Sequence, residues 1–496
     1  MTLSRSRNTG DEMIDIPHYL HLLTTATLFS AALLFAGSLL LIFFSSLDDC
    51  FGDLLWVSLR LTATAAPPLP EKEVEEGLLA VLLPAWQEAA VLPQSLTHLL
   101  TNARYRNFRV FVGIYPNDQA TERAVRRLAK EDARIIPIIT PRPGPTCKAD
   151  CLNALLRGAL AWEEVERRKF KGFILQDAED MTHPEALSCF NRALDYHDLI
   201  QLPVVPVVRR WSACIGGHYM DEFAEMHGKD VPVRALVTGV VPGSGVATAY
   251  ARQLLVTASD RAEGAFNTDT LTEDYELSFR LAGTARRQIF LRLTGSQADT
   301  LATRYDIIAT RELFPHSLRA AVRQKARWIV GISCQGWRQL GWRGSLMSRY
   351  YFLRDRKILL CGHANLISAV GLLYSLGQRL TAELAPAHTP PPLLADDDLL
   401  WHVAFLNIGF LLHRLLVRHL CVWSLYGWRQ LPLVLPRYLA GILVNYLALC
   451  RASRIFGSHL LTGKPIGWDK TSHDFPAAIR RQPAKGIMRP AYGGAT

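Results

Sequence analysis

Several signatures of common protein classes are missing from this chain. Its nine cysteines are an odd set with no C-x-x-C pair, which argues against both a disulfide framework and a zinc ribbon. Cys147 and Cys151 lie four apart, a spacing that packing explains, so the main domain is expected in a reducing, cytosolic setting. Charged residues make up only 20% of 496, too few for an intrinsically disordered protein. Gly (33) and Pro (27) are at ordinary levels, which excludes a collagen-like chain. No G-x-S-x-G, G-x-x-x-x-G-K-[ST] or H-E-x-x-H pattern occurs, so a hydrolase elbow, a P-loop and a zincin pair are absent. The formal charge, 55 − 45 = +10, is spread along the whole chain. A nucleic-acid binder would gather it in one stripe with interleaved aromatics, so no nucleic-acid partner is expected.

What the chain has is apolar surface, 49% of its residues. Residues 1–15 read as an N-terminal tail, followed by a run from Ile16 to Leu47 without Asp, Glu, Lys or Arg. Its centre, Leu22–Phe44, is long enough for a transmembrane helix, which needs about 20 apolar residues. A signal peptide would be shorter, with a small-residue cleavage site. The stretches 358–378 and 399–417 predict two further spans, with Arg414 near enough to an end to snorkel. Only 13 uncharged residues lie between Arg437 and Arg451, after Pro432 and Pro436. Residues 431–456 therefore predict an interfacial or re-entrant helix, and 457–496 a cytosolic tail. Arg349, Arg354, Arg356 and Lys357 precede the second span, whereas 381–398 holds no Lys or Arg. The positive-inside bias then places 60–357 in the cytoplasm. The first span taken alone points the other way, with Arg5 and Arg7 before it and Asp48, Asp49 and Asp53 after it.

Within 60–357, short apolar runs alternate with amphipathic stretches: 78–83 then 89–102, 108–114 then 120–130, 135–139 then 149–167, and 172–175. That alternation predicts a mainly parallel α/β sheet, and such sheets bind ligands at the carboxyl ends of their strands. Acidic residues stand at those ends: Glu88, Asp118, Asp150, and the run Asp177-Ala178-Glu179-Asp180. Three carboxylates in four residues repel unless a cation or exposure relieves them. A hard divalent cation, Mg²⁺ or Mn²⁺, is one solution; a solvated acidic turn is the other. Thr272-Glu273-Asp274 reads as a second carboxylate pair or as an ordinary helix cap. Gln324 and Arg327 share a helix face next to Trp328. That helix suits phosphate contacts and ring stacking, or a basic face resting on lipid headgroups. His98, His183, His218 and His227 have no ligand spacing and are expected to be structural.

The ordered series Pro84–Glu88, Asp118, Lys148-Ala149-Asp150, Asp177-x-Glu179-Asp180, Thr272–Asp274 and Gln324-x-x-Arg327-Trp328 resembles that of inverting family-2 glycosyltransferases, membrane synthases with a cytosolic GT-A domain. Tyr115–Asp118, Arg142–Thr146, His227–Arg234 and Trp468–Pro476 are further similar to the NfrB-like bacteriophage-adsorption proteins, over nearly the whole chain. The resemblance implies a multi-pass protein of the bacterial inner membrane that uses a UDP-sugar to elongate and export a surface polysaccharide. Single-sugar transfer to a lipid carrier and a non-catalytic scaffold for phage adsorption remain as alternatives. It implies Asp274, beside Glu273, as catalytic base, and Glu88, Asp118, Lys148, Asp177 and Arg327 as donor contacts. Gln324, Trp328 and Thr272 would meet the acceptor, and Asp177 and Glu179 would hold Mg²⁺ or Mn²⁺. The family usually has Asp where Glu179 stands, so Asp180 is expected to share that duty. The implied partners are the growing polysaccharide, membrane lipid and an NfrA-like outer-membrane protein. Longer relatives carry a cyclic-di-GMP-binding domain after the last motif. This chain ends 20 residues beyond Pro476, which puts cyclic-di-GMP regulation in doubt.

Overall fold

The computed structural model describes residues 16–62, 75–207, 213–261, 264–284, 287–295 and 303–467. The tail 1–15, the Trp468–Pro476 motif and most of the tail 457–496 lie outside the described residues. Ten strands are formed: β1 Leu79–Pro84, β2 Phe108–Ile114, β3 Ile135–Ile139, β4 Gly172–Leu175, β5 Met181–Thr182, β6 Leu199–Gln201, β7 Val204–Pro206, β8 Thr248–Ala251, β9 Gln288–Phe290 and β10 Thr310–Glu312. Helices Leu92–Asn102, Gln119–Glu131 and Lys148–Glu166 connect the first four, so those strands run parallel.

The large sheet has the order β3-β2-β1-β4-β8-β6-β9, and β5-β10-β7 form a smaller one. All neighbours in the large sheet are parallel except β8, which runs antiparallel to β4 and β6. Strand alternation splits the interior in two. Leu79, Val81 and Leu83 of β1 face one core with Val110, Val112 and Ile174. Ala80 and Leu82 face the other with Phe111, Phe173 and Tyr250. Burial on both faces explains why these strands read as unbroken apolar runs. Cys151 lies in the second core, against Gly113, where a side chain would collide with its sulfur. Packing is thus the role it plays.

The chain divides into two compact units, residues 1–48 with 360–411, and 49–359 with 412–496. Among the described residues four helices are long and apolar enough to cross a membrane: within Ile16–Thr62, Ile358–Leu384, Leu400–Tyr426 and the run Trp428–Thr462. In the first unit the helices meet through small residues. The Ser38 and Ser368 hydroxyls are 2.7 Å apart, and Phe35 rests where a side chain at Gly371 would stand. Close approach through Gly and Ser is a usual way of joining apolar helices.

Two boundaries differ from expectation. The first helix continues to Thr62, past Asp48, Asp49 and Asp53. Asp49 is answered by Lys357 at 2.7 Å and Arg414 at 2.6 Å, and Asp53 by Lys229 at 2.5 Å and His413 at 2.9 Å. The segment expected as an interfacial or re-entrant helix over 431–456 lies largely in one 29-residue helix, Val434–Thr462. Arg437 does not interrupt it because its guanidinium is buried against Asp221, 3.3 Å away, each side chain 1% exposed. This helix packs on the α/β domain through Val444 and Ala448.

Candidate active site

The polypeptide after β1 and β2 turns sharply. Gln87 adopts φ 56°, and its N–H donates to Asp118 Oδ2 at 2.5 Å, while Asp118 Oδ1 accepts from Thr121 N at 3.2 Å. Asp118 therefore caps the helix Gln119–Glu131 and also ties it to the end of β1. Glu88 is buried, and its N–H donates to Thr121 Oγ1 at 3.0 Å. Trp86 and Tyr115 meet edge to face at 5.1 Å. The Asn117 side chain donates to and accepts from the backbone of Gly144, both at 2.7 Å. Ends of three strands are thus fastened into one rim.

The charged centre forms next to that rim. Lys148 opens the helix Lys148–Glu166, and its Nζ lies 2.6 Å from Asp177 Oδ1 and donates to the Gly245 carbonyl at 3.1 Å. A side chain at Gly245 would stand 3.0 Å from Asp274 Oδ2 and 3.2 Å from Lys148 Nζ. Asp177 and Asp274, 97 positions apart by number, therefore gather about one ammonium. Burial opposes the charge on Lys148, yet Asp177, Glu273 and Asp274 outweigh it and hold its pKa above the ordinary lysine value. Burial pushes the Glu273 carboxyl up to about 7, with Lys148 pulling against it and Asp274 pushing with it. Burial raises Asp274 as well, opposed by Lys148 and by the Tyr275 N–H. Glu273 is only 4% exposed, whereas Asp274 is half-buried. Asp274 is thus the more exposed of the pair.

Thr272 takes the N-cap position of the helix Glu273–Arg280, but its hydroxyl caps nothing, and that oxygen is buried without a hydrogen-bond partner. Ordinary capping does not account for it. In the acidic turn, Asp177 is half-buried and Glu179 buried. Asp180 is turned inward. Its Oδ2 accepts from Asp177 N at 2.8 Å, its Oδ1 has no hydrogen-bond partner, and burial, with Glu312, Asp177 and Glu179 nearby, holds its carboxyl well above the usual range. Asp180 is thus tied to its own turn, and the neighbouring carboxylates that raise its pKa are charges a bound cation would offset.

Gln324, Arg327 and Trp328 lie on the helix Leu318–Trp328, which continues as the wider helix Ile329–Gln335. That continuation touches the centre. Gly331 sits against the Thr272 side chain, and Gln335 Oε1 accepts from Leu271 N at 2.9 Å. Of the three side chains, Trp328 packs in the cluster that also holds Val246, next to Gly245. Trp328 packs edge-on to Tyr219 at 6.1 Å and beside Phe223 and Phe314, so at least part of its ring serves the core. Gln324 Oε1 is buried without a partner, and Arg327 lines a cavity together with Leu271. Contacts at Leu271 and Thr272 thus link the continuation of this helix to the charged centre.

Three participants escaped the sequence reading. Gln201 is fully buried; its Nε2 donates to the carbonyls of Leu202, Val246 and Ala247 at 2.8, 2.9 and 3.2 Å. Its Oε1 accepts from Ser244 N at 3.1 Å and Thr248 Oγ1 at 2.7 Å. It staples the loop that carries Gly245. Gly245 itself has φ 72°, which glycine adopts freely. Glu312 ends β10 and bears on Asp180. A lone Gln among Leu199, Ile200 and Leu202, and the pair Gly243/Gly245, were the available signals.

A mainly parallel sheet with carboxylates and one lysine gathered at its strand ends defines an α/β domain with its ligand site in the usual place for such sheets. Known proteins narrow this. Residues 172–382, the segment bearing Asp177, Asp274 and Arg327, match the model described as glycosyl transferase family group 2. Over 458 residues the chain is 35% identical to bacteriophage adsorption protein B of Escherichia coli strain K12, and equally so to bacteriophage N4 adsorption protein B of Escherichia coli O157:H7. The match takes in 88% of this chain and 61% of each relative, so the chain spans about three fifths of their length. A mannosyltransferase from Pyrobaculum calidifontis, solved with GDP-Man and Mn²⁺, is similar at TM-score 0.49 and 16% identity, covering 83% of this chain and 99% of that one.

Proposed function

We propose that the chain is an inverting glycosyltransferase of the inner membrane that uses a UDP-sugar to elongate and export a surface polysaccharide. The observation that carries this is the convergence of Asp177 and Asp274 on Lys148 beside Gly245. In the reaction, Asp274 accepts the proton of an acceptor hydroxyl. The oxygen forms its bond to the anomeric carbon as the bond to the diphosphate breaks on the opposite face. The electron pair leaves with the diphosphate, and configuration inverts. Lys148 places Asp177 and offsets the repulsion among the neighbouring carboxyls. Arg327 is assigned to the leaving diphosphate, and Gln324, Thr272 and Trp328 to the acceptor. Glu88 and Asp118 form the nucleotide end of the rim.

Among the described residues no group of three His, Cys, Asp or Glu is set to hold a metal. Asp177 and Glu179 nevertheless fit Mg²⁺ or Mn²⁺, because such ions commonly take one or two carboxylates together with substrate phosphates. When bound, the ion would neutralise charge on the diphosphate. An NfrA-like outer-membrane protein is the proposed partner in export.

The test is incorporation of labelled sugar by the full chain in lipid nanodiscs, with each UDP-sugar and with Mg²⁺ or Mn²⁺. Wild type is expected to make product, and Asp274→Asn to lose about 10²–10⁴-fold of the rate with its fold intact. Product length separates a polymer from a single transfer. No product with any donor, or undiminished product in Asp274→Asn, would overturn the reading.

A further inference from the structure

Four helical segments meet at Asp355. It lies on the helix Leu346–Arg356, which leads in the chain to the candidate span Ile358–Leu384. Its Oδ1 and Oδ2 accept from Nη1 and Nη2 of Arg234 at 2.9 and 2.8 Å, and Oδ2 also accepts from the Tyr275 hydroxyl. Arg234 belongs to the helix Val231–Thr238, and Tyr275 to the helix Glu273–Arg280 that carries Asp274. The Asp355 carbonyl accepts from Ser333 Oγ at 2.7 Å, on the wider helix Ile329–Gln335. The Arg234 guanidinium lies over Phe279 and Tyr351 at 4.7 and 5.1 Å.

Holding these helices together does not call for such an arrangement. Tyr275, Leu340 and Phe352 already pack as an apolar cluster with Phe279, but apolar packing is non-directional. A bidentate Arg–carboxylate pair adds geometry. Burial, then the Asp355 carboxylate, hold the Tyr275 hydroxyl well above its ordinary pKa, so it remains a donor to that carboxylate. Tyr275 is therefore fixed in direction as well as in place. Its backbone N–H lies in the first turn of its helix, where such groups have no intrahelical partner, and the Thr272 side chain caps none of them. That N–H serves the Asp274 carboxylate instead. We propose that Asp355 is a positioning residue for transfer, which keeps the Asp274 carboxylate aimed by fixing Tyr275. This rests on the reading of Asp274 as the base, and it ties that base to the helix that precedes the second span.

The test uses the full chain in lipid nanodiscs and the variants Tyr275→Phe and Asp355→Asn. Tyr275→Phe leaves the Arg234–Asp355 pair whole and decides the matter should Asp355→Asn fold poorly. In Tyr275→Phe, hydrogen exchange over residues 273–277 is expected to quicken about tenfold, the weight of one hydrogen bond to a charged group. Residues 150–156 are expected to exchange as in wild type. In sugar incorporation kcat is expected to fall about tenfold with KM for the donor unchanged. Asp355→Asn is expected to lose about 10²-fold, as a group displaced by about 1 Å would. Unchanged exchange over 273–277, equal quickening of both segments, undiminished kcat or a loss confined to KM would each overturn the inference. Asp274→Asn is assayed alongside. Its loss of activity with kcat intact in Tyr275→Phe would remove the positioning role alone, whereas undiminished product in Asp274→Asn would remove the base and this inference with it.

Discussion

Lys148 decides the electrostatics of the proposed centre. Its ammonium is the main influence lowering the pKa of both Glu273 and Asp274, against burial that raises them. The two carboxyls share one environment and titrate as a pair. A base must be deprotonated, so the rate of transfer is expected to rise with pH through a limb above the ordinary aspartate range, the direction in which burial moves Asp274. Stability should move the other way. Between the ordinary value of 4.5 and about 7 the folded state binds more protons than the unfolded one, so raising pH across that window lowers Tm. Lys148→Met removes the opposing charge. Its activity limb is expected to shift to the alkaline side, leaving roughly tenfold less transfer at pH 7, since one pKa unit is a factor of ten in the charged fraction. A pH–rate profile of the variant that superimposes on wild type would show that Lys148 does not tune the base.

At the scale of elements, the loop between Gly243 and Thr248 is what sets Gly245 against Lys148 and Asp274. It is irregular, so its backbone groups need partners from outside, and Gln201 supplies four hydrogen bonds to that loop and its flanks through Nε2 and Oε1 to Ser244, Val246, Ala247 and Thr248. Gln201→Ala is expected to cost about 3 kcal/mol, since each orphaned buried group costs about 1–3 kcal/mol. Transfer should fall more than binding does, because the Gly245 carbonyl that accepts from Lys148 loses its fixed place. Thermal unfolding together with separate kcat and KM values checks this. An unchanged Tm, or a loss confined to KM, would deny Gln201 that positioning role. Gly245→Ala should be worse, as φ 72° disfavours a side chain that would also approach Asp274 and Lys148.

The first four strands were legible because each is a short apolar run, and a helix follows each of the first three. Residues 108–114, 135–139 and 172–175 were read to their ends, and β1 to within one residue. The return strand β8 and the short β6 and β9 were not, since three or four residues carry too little periodicity to register. The carboxylates at strand ends were found for the same topological reason that makes them useful. Their orientation was hidden. Nothing in Asp177-Ala178-Glu179-Asp180 reveals that the last carboxyl binds the N–H of the first. Likewise Arg437 looked like the end of a span, because its partner Asp221 stands 216 positions earlier in the chain.

For the whole molecule, the flanks of the first span gave contradictory orientations, and the ion pairs show which acids matter. Asp49 is held by Lys357 and Arg414, and Asp53 by Lys229 and His413. These carboxylates answer nearby cations within one unit, so their sign says little about which side of a bilayer they occupy. Acidic residues also weigh little in setting topology, whereas Lys and Arg in short flanks weigh heavily. The cluster Arg349, Arg354, Arg356 and Lys357, against none in 381–398, therefore governs. In a variant whose nine cysteines are replaced, Ala387→Cys is expected to react with a membrane-impermeant maleimide in intact spheroplasts. Arg157→Cys, exposed on the helix Lys148–Glu166, is expected to react only after permeabilisation. The reverse pattern would put the proposed donor site on the side where no nucleotide sugar is made, and labelling of both in intact cells would remove the bilayer between them. Either result would end the case for a cytosolic donor site feeding a polymer outward.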